Sequence, residues 1–454
     1  MSTFPPDLFA ERRYWVVGLG KNGLPAARAL AAMGAHVAVW DDNPATRTEA
    51  GFPEHDPAEP GCDFDALVLS PGIPHVLPTP HPAALRAQAA GVPILSDVEL
   101  LFQAVRAAGS RARFVGITGT NGKSTTTAML AHVLQDAGIT AAAGANLGPA
   151  ALSLPLLPHD GVYVLEMSSY MLERLATVRF TAAAMLNLSL DHLDRHGDML
   201  GYARAKRAIF DRQTADDLAV VGIDDEFSRD LAATLSGGRR VTISGFQPAD
   251  VWCEAGVLRD QAGPILRMRD AAALPGAHNA QNAAAVAAVA LFLGVSRDDV
   301  ARGMASFPGL PHRQQTVATV DGIAFINDSK ATNADSAARA LGCHDRLIWI
   351  AGGMAKEGGI EPLVAYFPRI ARALLIGRDA PVLAATLAAH GVPFETVGTL
   401  EAAVSAGFAA AKAADAPVVL LSPACASWDQ FTGYDQRGDR FADLARGLAT
   451  GGAH

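Results

Sequence analysis

An α/β fold in three doubly wound domains is predicted by two features of the chain. Short β-branched runs alternate with Ala- and Leu-rich helical stretches throughout, the pattern of parallel sheets covered by helices. The length, 454 residues, also exceeds what a single hydrophobic core organises. Two breaks divide the alternation. One is Ala107-Ala-Gly-Ser-Arg-Ala112; the other, Phe307-Pro-Gly-Leu-Pro-His-Arg313, carries two prolines and a glycine in seven residues. Domains are therefore expected at 1–109, 110–310 and 311–454.

In the first, Tyr14–Val17, Ala35–Trp40 and Ala66–Leu69 read as strands, with helices at Leu24–Met33 and Asp97–Val105. The second opens with strand Phe114–Thr118 and helix Lys123–Asp136, followed by strands Val162–Leu165 and Ala182–Leu188 and a helix at Asn279–Leu293. Strands Ile323–Asn327, Leu347–Ala351, Leu374–Ile376 and Val418–Leu421 build the third.

The net charge of −9 argues against a nucleic-acid partner, whose phosphates need a basic surface. Cys62, Cys253, Cys343 and Cys425 show no CxxC spacing and read as reduced cytosolic thiols. The N-terminal apolar run is too short for a signal peptide, and no uninterrupted apolar stretch approaches a membrane span. A soluble, cytoplasmic protein is expected, and nothing demands more than a monomer.

The sharpest local signal is Gly116-Ile-Thr-Gly-Thr-Asn-Gly-Lys-Ser-Thr125, set between a strand and a helix. Small residues let backbone amides close around a phosphate, and the helix N-terminus adds partial positive charge. Thr118, Gly119, Thr120, Asn121, Gly122, Lys123, Ser124 and Thr125 are the candidate ATP cradle. Lys123 suits the β- and γ-phosphates, and the Ser124 hydroxyl suits Mg²⁺. The strict P-loop pattern fails, because Ile117 stands where its first glycine belongs. A second glycine loop, Gly18-Leu-Gly-Lys-Asn-Gly23, follows a strand, and Asp41 ends the next. Alone, that fingerprint suggests an NAD-dependent oxidoreductase.

Other residues read ambiguously on spacing alone. Glu166 ends a strand, where a carboxylate can hold Mg²⁺ or face solvent. His192, between two aspartates, reads as a surface residue. Tyr202–Arg207 reads as an amphipathic helix start with exposed charge. Asn279 and Asn282 share a helix face and can bind a nucleotide or cap the helix.

The loop Gly-Thr-Asn-Gly-Lys-Ser resembles that of the Mur ligase and folylpolyglutamate synthase superfamily. Further motifs follow in order: Glu166-Met-Ser-Ser-Tyr170, Asn187-Leu-Ser-Leu-Asp-His-Leu-Asp194, Tyr202-Ala-Arg-Ala-Lys206, His278-Asn-Ala-Gln-Asn282, Gly309-Leu-Pro-His-Arg313, Asp328-Ser-Lys-Ala-Thr-Asn333 and Leu421-Ser-Pro-Ala-Cys-Ala-Ser427. From end to end they resemble the glutamate-adding branch of the Mur ligases.

That resemblance implies a Rossmann-like N-terminal domain, a central P-loop-type ATPase domain and a C-terminal Rossmann-like domain. It implies an ATP- and Mg²⁺-dependent ligase of peptidoglycan precursor synthesis. Such an enzyme joins D-glutamate to UDP-N-acetylmuramoyl-L-alanine through an acyl phosphate. Lys123, Glu166, His192 and Lys206 would be catalytic, with Ser124, Glu166, His192 and a carbamylated Lys206 holding metal. Asn279, Asn282, Arg313 and Asp328 would complete the ATP site, and domain closure would exclude water from it.

The sugar nucleotide would meet Gly18, Gly20, Lys21, Asn22, Gly23, Asp41, Ser70, Pro71, Gly72, Asn146 and Ser168. Glutamate would meet Thr332, Lys356 (within Gly352–Gly358), Ser427 and Tyr434. Three departures stand out. Asp41-Asp-Asn43 lacks the arginine that other members carry after the aspartate, Tyr434 replaces Phe, and Trp428 replaces a smaller apolar residue. Siblings adding a diamino acid carry an Asn-Pro-Arg motif absent here. Residue identity does not encode the hand of the amino acid, so an L-glutamate-adding sibling stays open.

Overall fold

A parallel strand covered on both faces must be apolar along its whole length. Strands Val162–Glu166 and Leu218–Gly222 are buried at every position, as that requires. The computed structural model describes residues 3–235, 237–274, 276–356 and 358–451; Glu357, in the Gly352–Gly358 loop, lies outside them.

Three sheets organise these residues. The first is parallel, in the order His36–Trp40, Arg13–Val17, Ala66–Leu69, Ile94–Leu95. In the second, Ala141–Ala145, Val162–Glu166, Arg113–Thr118, Ala182–Met185, Leu218–Gly222, Arg239–Ser244 and Val251–Glu254 run parallel. Val257–Asp260 and Gly263–Arg267 then extend it antiparallel. The third orders Gln315–Val320, Ile323–Asn327, Val418–Leu421, Leu347–Gly352, Ile370–Ile376 and Phe394–Gly398, antiparallel only at its first pair.

The chain forms two compact units, Met1–Ala271 with Ala277–Phe307, and Ala272–Gly276 with Pro308–His454. The first two sheets share a unit because one apolar cluster runs from Phe9, Leu30 and Leu101 through Phe114 and Tyr163 to Ala232. Helix Asp97–Ala107 is the joint. Its Phe102 ring meets Phe114 of the central sheet edge-on, with centroids 5.0 Å apart.

Most expected elements form within a residue or two of their anticipated ends, with instructive exceptions. The strand expected to reach Leu188 stops at Met185. Beyond it the chain turns to wrap the phosphate loop, where Asn187 accepts from the Thr120 amide at 2.9 Å. The strand expected from Leu374 begins at Ile370. The four short strands between Arg239 and Arg267, each carrying at least one charged residue, were not anticipated, since those charges break the alternation.

One buried carboxylate pins the helix Asp97–Ala107 to the central sheet's connections. Glu99, inaccessible to solvent, accepts from the amides of Ala176, Thr177 and Val178, from the Thr177 hydroxyl and from Gln103. Burial pushes its carboxyl up, but the Thr177, Gln103 and Ala176 donors outweigh that and hold it below the ordinary range. A depressed folded-state pKa means stability that is full above the unfolded value and lost as pH falls through the folded one. Glu99→Gln is expected to lower unfolding free energy by roughly 2–3 kcal/mol at pH 7. Denaturant melts across pH 3–7 should show the gap to wild type closing as pH drops; a pH-independent gap would refute the assignment.

Candidate active site

The phosphate loop is shaped from both sides by neighbouring strand ends. Ile117 pairs with Glu166, and Thr118 with Met185, so the residues after both neighbours flank Gly119–Gly122. On one side the Asn187 side chain accepts from the Asn121 amide at 2.9 Å and donates to Gln281, which donates to Asp224. On the other, Thr118 Oγ1 donates to the Met167 carbonyl. Gly122 starts helix Lys123–Asp136 with φ 83°, and a Cβ there would lie 2.1 Å from Asn282 Oδ1. Only glycine fits that position, on backbone and space alike. Asn282, in turn, donates to Asn279 at 2.9 Å.

Two ammonium groups reach into this loop. Lys123 Nζ donates to the carbonyls of Gly119 and Thr120 at 2.9 and 2.8 Å. Lys206 Nζ donates to the same Gly119 carbonyl at 2.9 Å and lies 3.4 Å from Thr118 Oγ1. The expectation of exposed charge at Lys206 is corrected: the residue is 2% exposed. Helix Met199–Arg207 packs that face inward, with the Tyr202 ring 4.7 Å from the ammonium. Burial, then the neighbouring Lys123, drive the Lys206 pKa far down, against Asp191 and Glu166. Charge so confined calls for an anion or for loss of its proton.

Glu166 is buried at its strand end. One carboxylate oxygen accepts from Asn146 Nδ2 at 2.6 Å; the other, Oε2, is buried without a hydrogen-bond partner. An orphaned carboxylate oxygen beside a glycine-rich loop at a helix N-terminus fits a hard divalent cation. Ser124 is buried at the first turn of the helix. Among the described residues no three His, Cys, Asp or Glu side chains cluster as a ready-made metal site, so a cation held here would draw on Glu166, Ser124 and the nucleotide. His192 is half exposed, adopts φ 51° and shares a 2.9 Å hydrogen bond with the Tyr170 hydroxyl. Its pKa is lowered by burial, with Lys206, His196 and Lys123 adding to that and Asp191 opposing. Lys123, Glu166, His192 and Lys206 thus share one electrostatic neighbourhood.

At the first sheet, Gly18 has φ 84°, and a Cβ there would strike Ile73 and Ser70 at 2.6 and 2.8 Å, so backbone and space both require glycine. Ser70 Oγ ties the two loops by donating to the Gly18 carbonyl at 2.6 Å. Gly20 and Gly72 face open space, next to Pro71 and the exposed Lys21. Three expected contact residues are already engaged. Asp41 accepts from the amides of Leu19 and Asn43, and Asn22 donates to buried Asp97 at 3.3 Å. Ser168 caps a short helix through the Met171 amide. Sequence reasoning missed Arg47. It stacks 4.1 Å over the Trp40 ring and donates to the Asp41 carbonyl at 2.6 Å, returning a guanidinium to the strand end that lacks one in sequence. Its signal was the proline-started helix Pro44–Ala50, which brings it back.

The second unit brings its own set together. Asp328 is buried, accepts from Ser422 Oγ and the Gln314 amide, and is pushed up to about 7 by burial; Arg313 is near enough to oppose that shift. Lys330 donates to the Tyr434 hydroxyl at 3.0 Å, so the hydroxyl present where the resemblance leads one to expect Phe has a partner. Thr332 is half-buried two residues on. The Lys356 and Ser427 loops are paired, with Met354 and Ala426 exchanging backbone hydrogen bonds of 2.8 and 2.9 Å. Lys356 is exposed, Ser427 buried, and Trp428 68% exposed. Buried Arg437 holds both the Ser329 and Cys425 carbonyls.

Comparison with known proteins identifies the family of the chain. Residues 117–290 match the Mur ligase middle domain, and residues 312–425 the Mur ligase glutamate ligase domain. A UDP-N-acetylmuramoylalanine–D-glutamate ligase of Paramagnetospirillum magneticum is 49% identical, across 98% of this chain and 99% of its own. One from Caulobacter vibrioides is 45% identical, across 98% of both. Solved structures share the fold at low identity. The MurC ligase of Thermotoga maritima gives a TM-score of 0.61 at 18% identity, covering 96% of this chain and 99% of that one. The MurF ligase of Thermotoga maritima, in complex with ADP, gives 0.59 at 16%, covering 98% and 100%. On sequence and on fold, the chain belongs to the Mur ligase family.

Proposed function

We propose that this ligase adds D-glutamate to UDP-N-acetylmuramoyl-L-alanine at the expense of ATP, in peptidoglycan precursor synthesis. The observation that carries the reading is the unpaired Glu166 Oε2, buried beside a glycine cradle that two lysines enter. A carboxylate leaves oxide too poorly to be displaced by an amine, so its oxygen must first be phosphorylated. The amine then expels phosphate through a tetrahedral centre. The residues' task is to hold anions together and to neutralise charge as it develops.

Thr118 to Thr125 would cradle the phosphates, with Lys123 leaving the Gly119 and Thr120 carbonyls to meet the terminal one. Asn279 and Asn282 would meet the nucleotide in the first unit, and Arg313 and Asp328 are the second unit's nucleotide residues. A bound Mg²⁺ supplies charge neutralisation between the phosphates and the accepting carboxylate. Ser124, Glu166 and His192 are the side chains suited to it. Lys206 suits the family's carbamate: a neutral amine adds CO₂ through a new N–C bond, releases a proton to water and becomes an anion, which relieves its crowding with Lys123. The sugar nucleotide would lie along Gly18–Gly23, Ser70–Gly72 and Asn146. Thr332, Lys356, Ser427 and Tyr434 would receive glutamate. The domain division at 109 and 310 belongs to the same proposal, as do a cytoplasmic location and a monomeric state.

The direct test is incubation with ATP, UDP-N-acetylmuramoyl-L-alanine and D- or L-glutamate, read by product mass. Substrate-carboxylate ¹⁸O should appear in the released phosphate; its absence would exclude the acyl phosphate. Lys123→Ala should abolish phosphate release while leaving binding of the sugar nucleotide within about 3-fold by calorimetry. Equal loss of both would point to misfolding or a wrong assignment. Lys206→Ala should lose activity by roughly 100-fold or more, with short carboxylates such as acetate or formate restoring part of it. No recovery at any concentration would count against the carbamate.

A further inference from the structure

The loop after strand Ala66–Leu69 is gripped from behind by a side chain from the connection that follows central strand Val162–Glu166. Arg174 follows the short helix Ser169–Leu172, eight residues beyond Glu166, and is 3% exposed. Its Nη1 donates to the carbonyls of Leu69 and Ser70 at 2.6 and 3.0 Å, and its Nη2 to the Ile73 carbonyl. The guanidinium therefore ties up three carbonyls within five residues of one loop. That loop's other side carries Ser70 Oγ, bonded to the Gly18 carbonyl, and Gly72, which faces open space.

Arg174 cannot drift. Its carbonyl accepts from the Ser96 amide, and Glu99 holds the amides of Ala176 and Thr177 just beyond it. A second arginine continues the grip. Arg195 donates to the Leu77 carbonyl at 3.2 Å and to Glu173, and its Nη2 lies 3.0 Å from His75 Nδ1. Burial, with Arg174 beside it, pushes His75 down to about 4 despite Glu173, leaving a neutral ring that can accept.

A buried arginine is a poor source of net stability, because its desolvation offsets most of what its hydrogen bonds return. Its planar fork does give geometric definition to the groups it holds. We propose that Arg174 is a positioning residue for the sugar nucleotide, fixing the Ser70–Ile73 loop in register with Glu166, and that Arg195 seconds it. This rests on the reading that the loop binds the UDP moiety.

The test compares wild type with Arg174→Lys, which keeps the charge but loses the planar fork that spans the Leu69, Ser70 and Ile73 carbonyls. Steady-state kinetics should show KM for UDP-N-acetylmuramoyl-L-alanine rising about 10-fold or more. In the same assays kcat and the KM values for ATP and glutamate should stay within about 2- to 3-fold. Calorimetry with UDP alone should show the same weakening, independent of turnover. In Arg174→Gly, added methylguanidine should bring the raised KM back toward wild type, which a general loss of stability would not allow. A wild-type value for that KM in folded Arg174→Lys, or a parallel rise in all three, overturns the proposal. If the Arg174 variants do not fold, Arg195→Lys should raise the same KM about 3-fold, and no change there overturns it. Wild type that binds no UDP would instead sink the underlying reading.

Discussion

Two ammonium groups donate to a single carbonyl oxygen, that of Gly119. One of them, Lys206, is buried, and burial together with the neighbouring Lys123 drives its pKa far down. Like charges so close in a low-dielectric setting repel strongly unless something anionic joins them or one gives up its proton. Much of the surrounding architecture follows from this. The glycines let a phosphate approach, Glu166 keeps an oxygen unpaired, and Asn187 with Gln281 and Asp224 steadies the loop from outside the charged zone. The site is an electrostatic arrangement completed by its ligands.

In the proposed reaction, fixing that loop matters only if the sugar nucleotide is held in register with it. Within the first unit the register rests on polar groups buried at the seam between two sheets. Glu99 gathers amides from one side, and Asp97 links Asn22 to the Ala151 amide. Arg174 reaches back to the carbonyls of the first sheet's loop. Apolar packing brings the sheets together but is tolerant of small slips. Directional bonds from buried charges are not, which explains why ionic groups occupy a seam that could have been filled with leucine.

What sequence could reveal was chemistry confined to a few consecutive residues. The Gly-Thr-Asn-Gly-Lys-Ser loop was legible because glycine, lysine and a hydroxyl in a row leave few alternatives between a strand and a helix. Lys206 was legible only through resemblance, since helical spacing at Tyr202–Arg207 describes a solvated face and burial depends on strands far away in the chain. Arg174 was invisible for the same reason. An arginine just past a helix end reads as surface charge, and its partners lie about a hundred residues upstream. Arg47 illustrates a subtler gap. The motif position has no arginine, yet a helix begun by Pro44 returns one to the same strand end. Short strands with charged faces, Arg239–Ser244 among them, gave no periodic signal at all.

In the second unit, the bridge between Met354 and Ala426 joins two segments more than seventy residues apart. Segments sewn together in this way respond as one body. In the proposed glutamate site, the bridge ties the loop of the exposed Lys356 to that of the enclosed Ser427, so a misfit at either end would be felt at both. Discrimination among amino acids of similar length would then come from the fit of the whole span, with neither residue acting as an independent sensor.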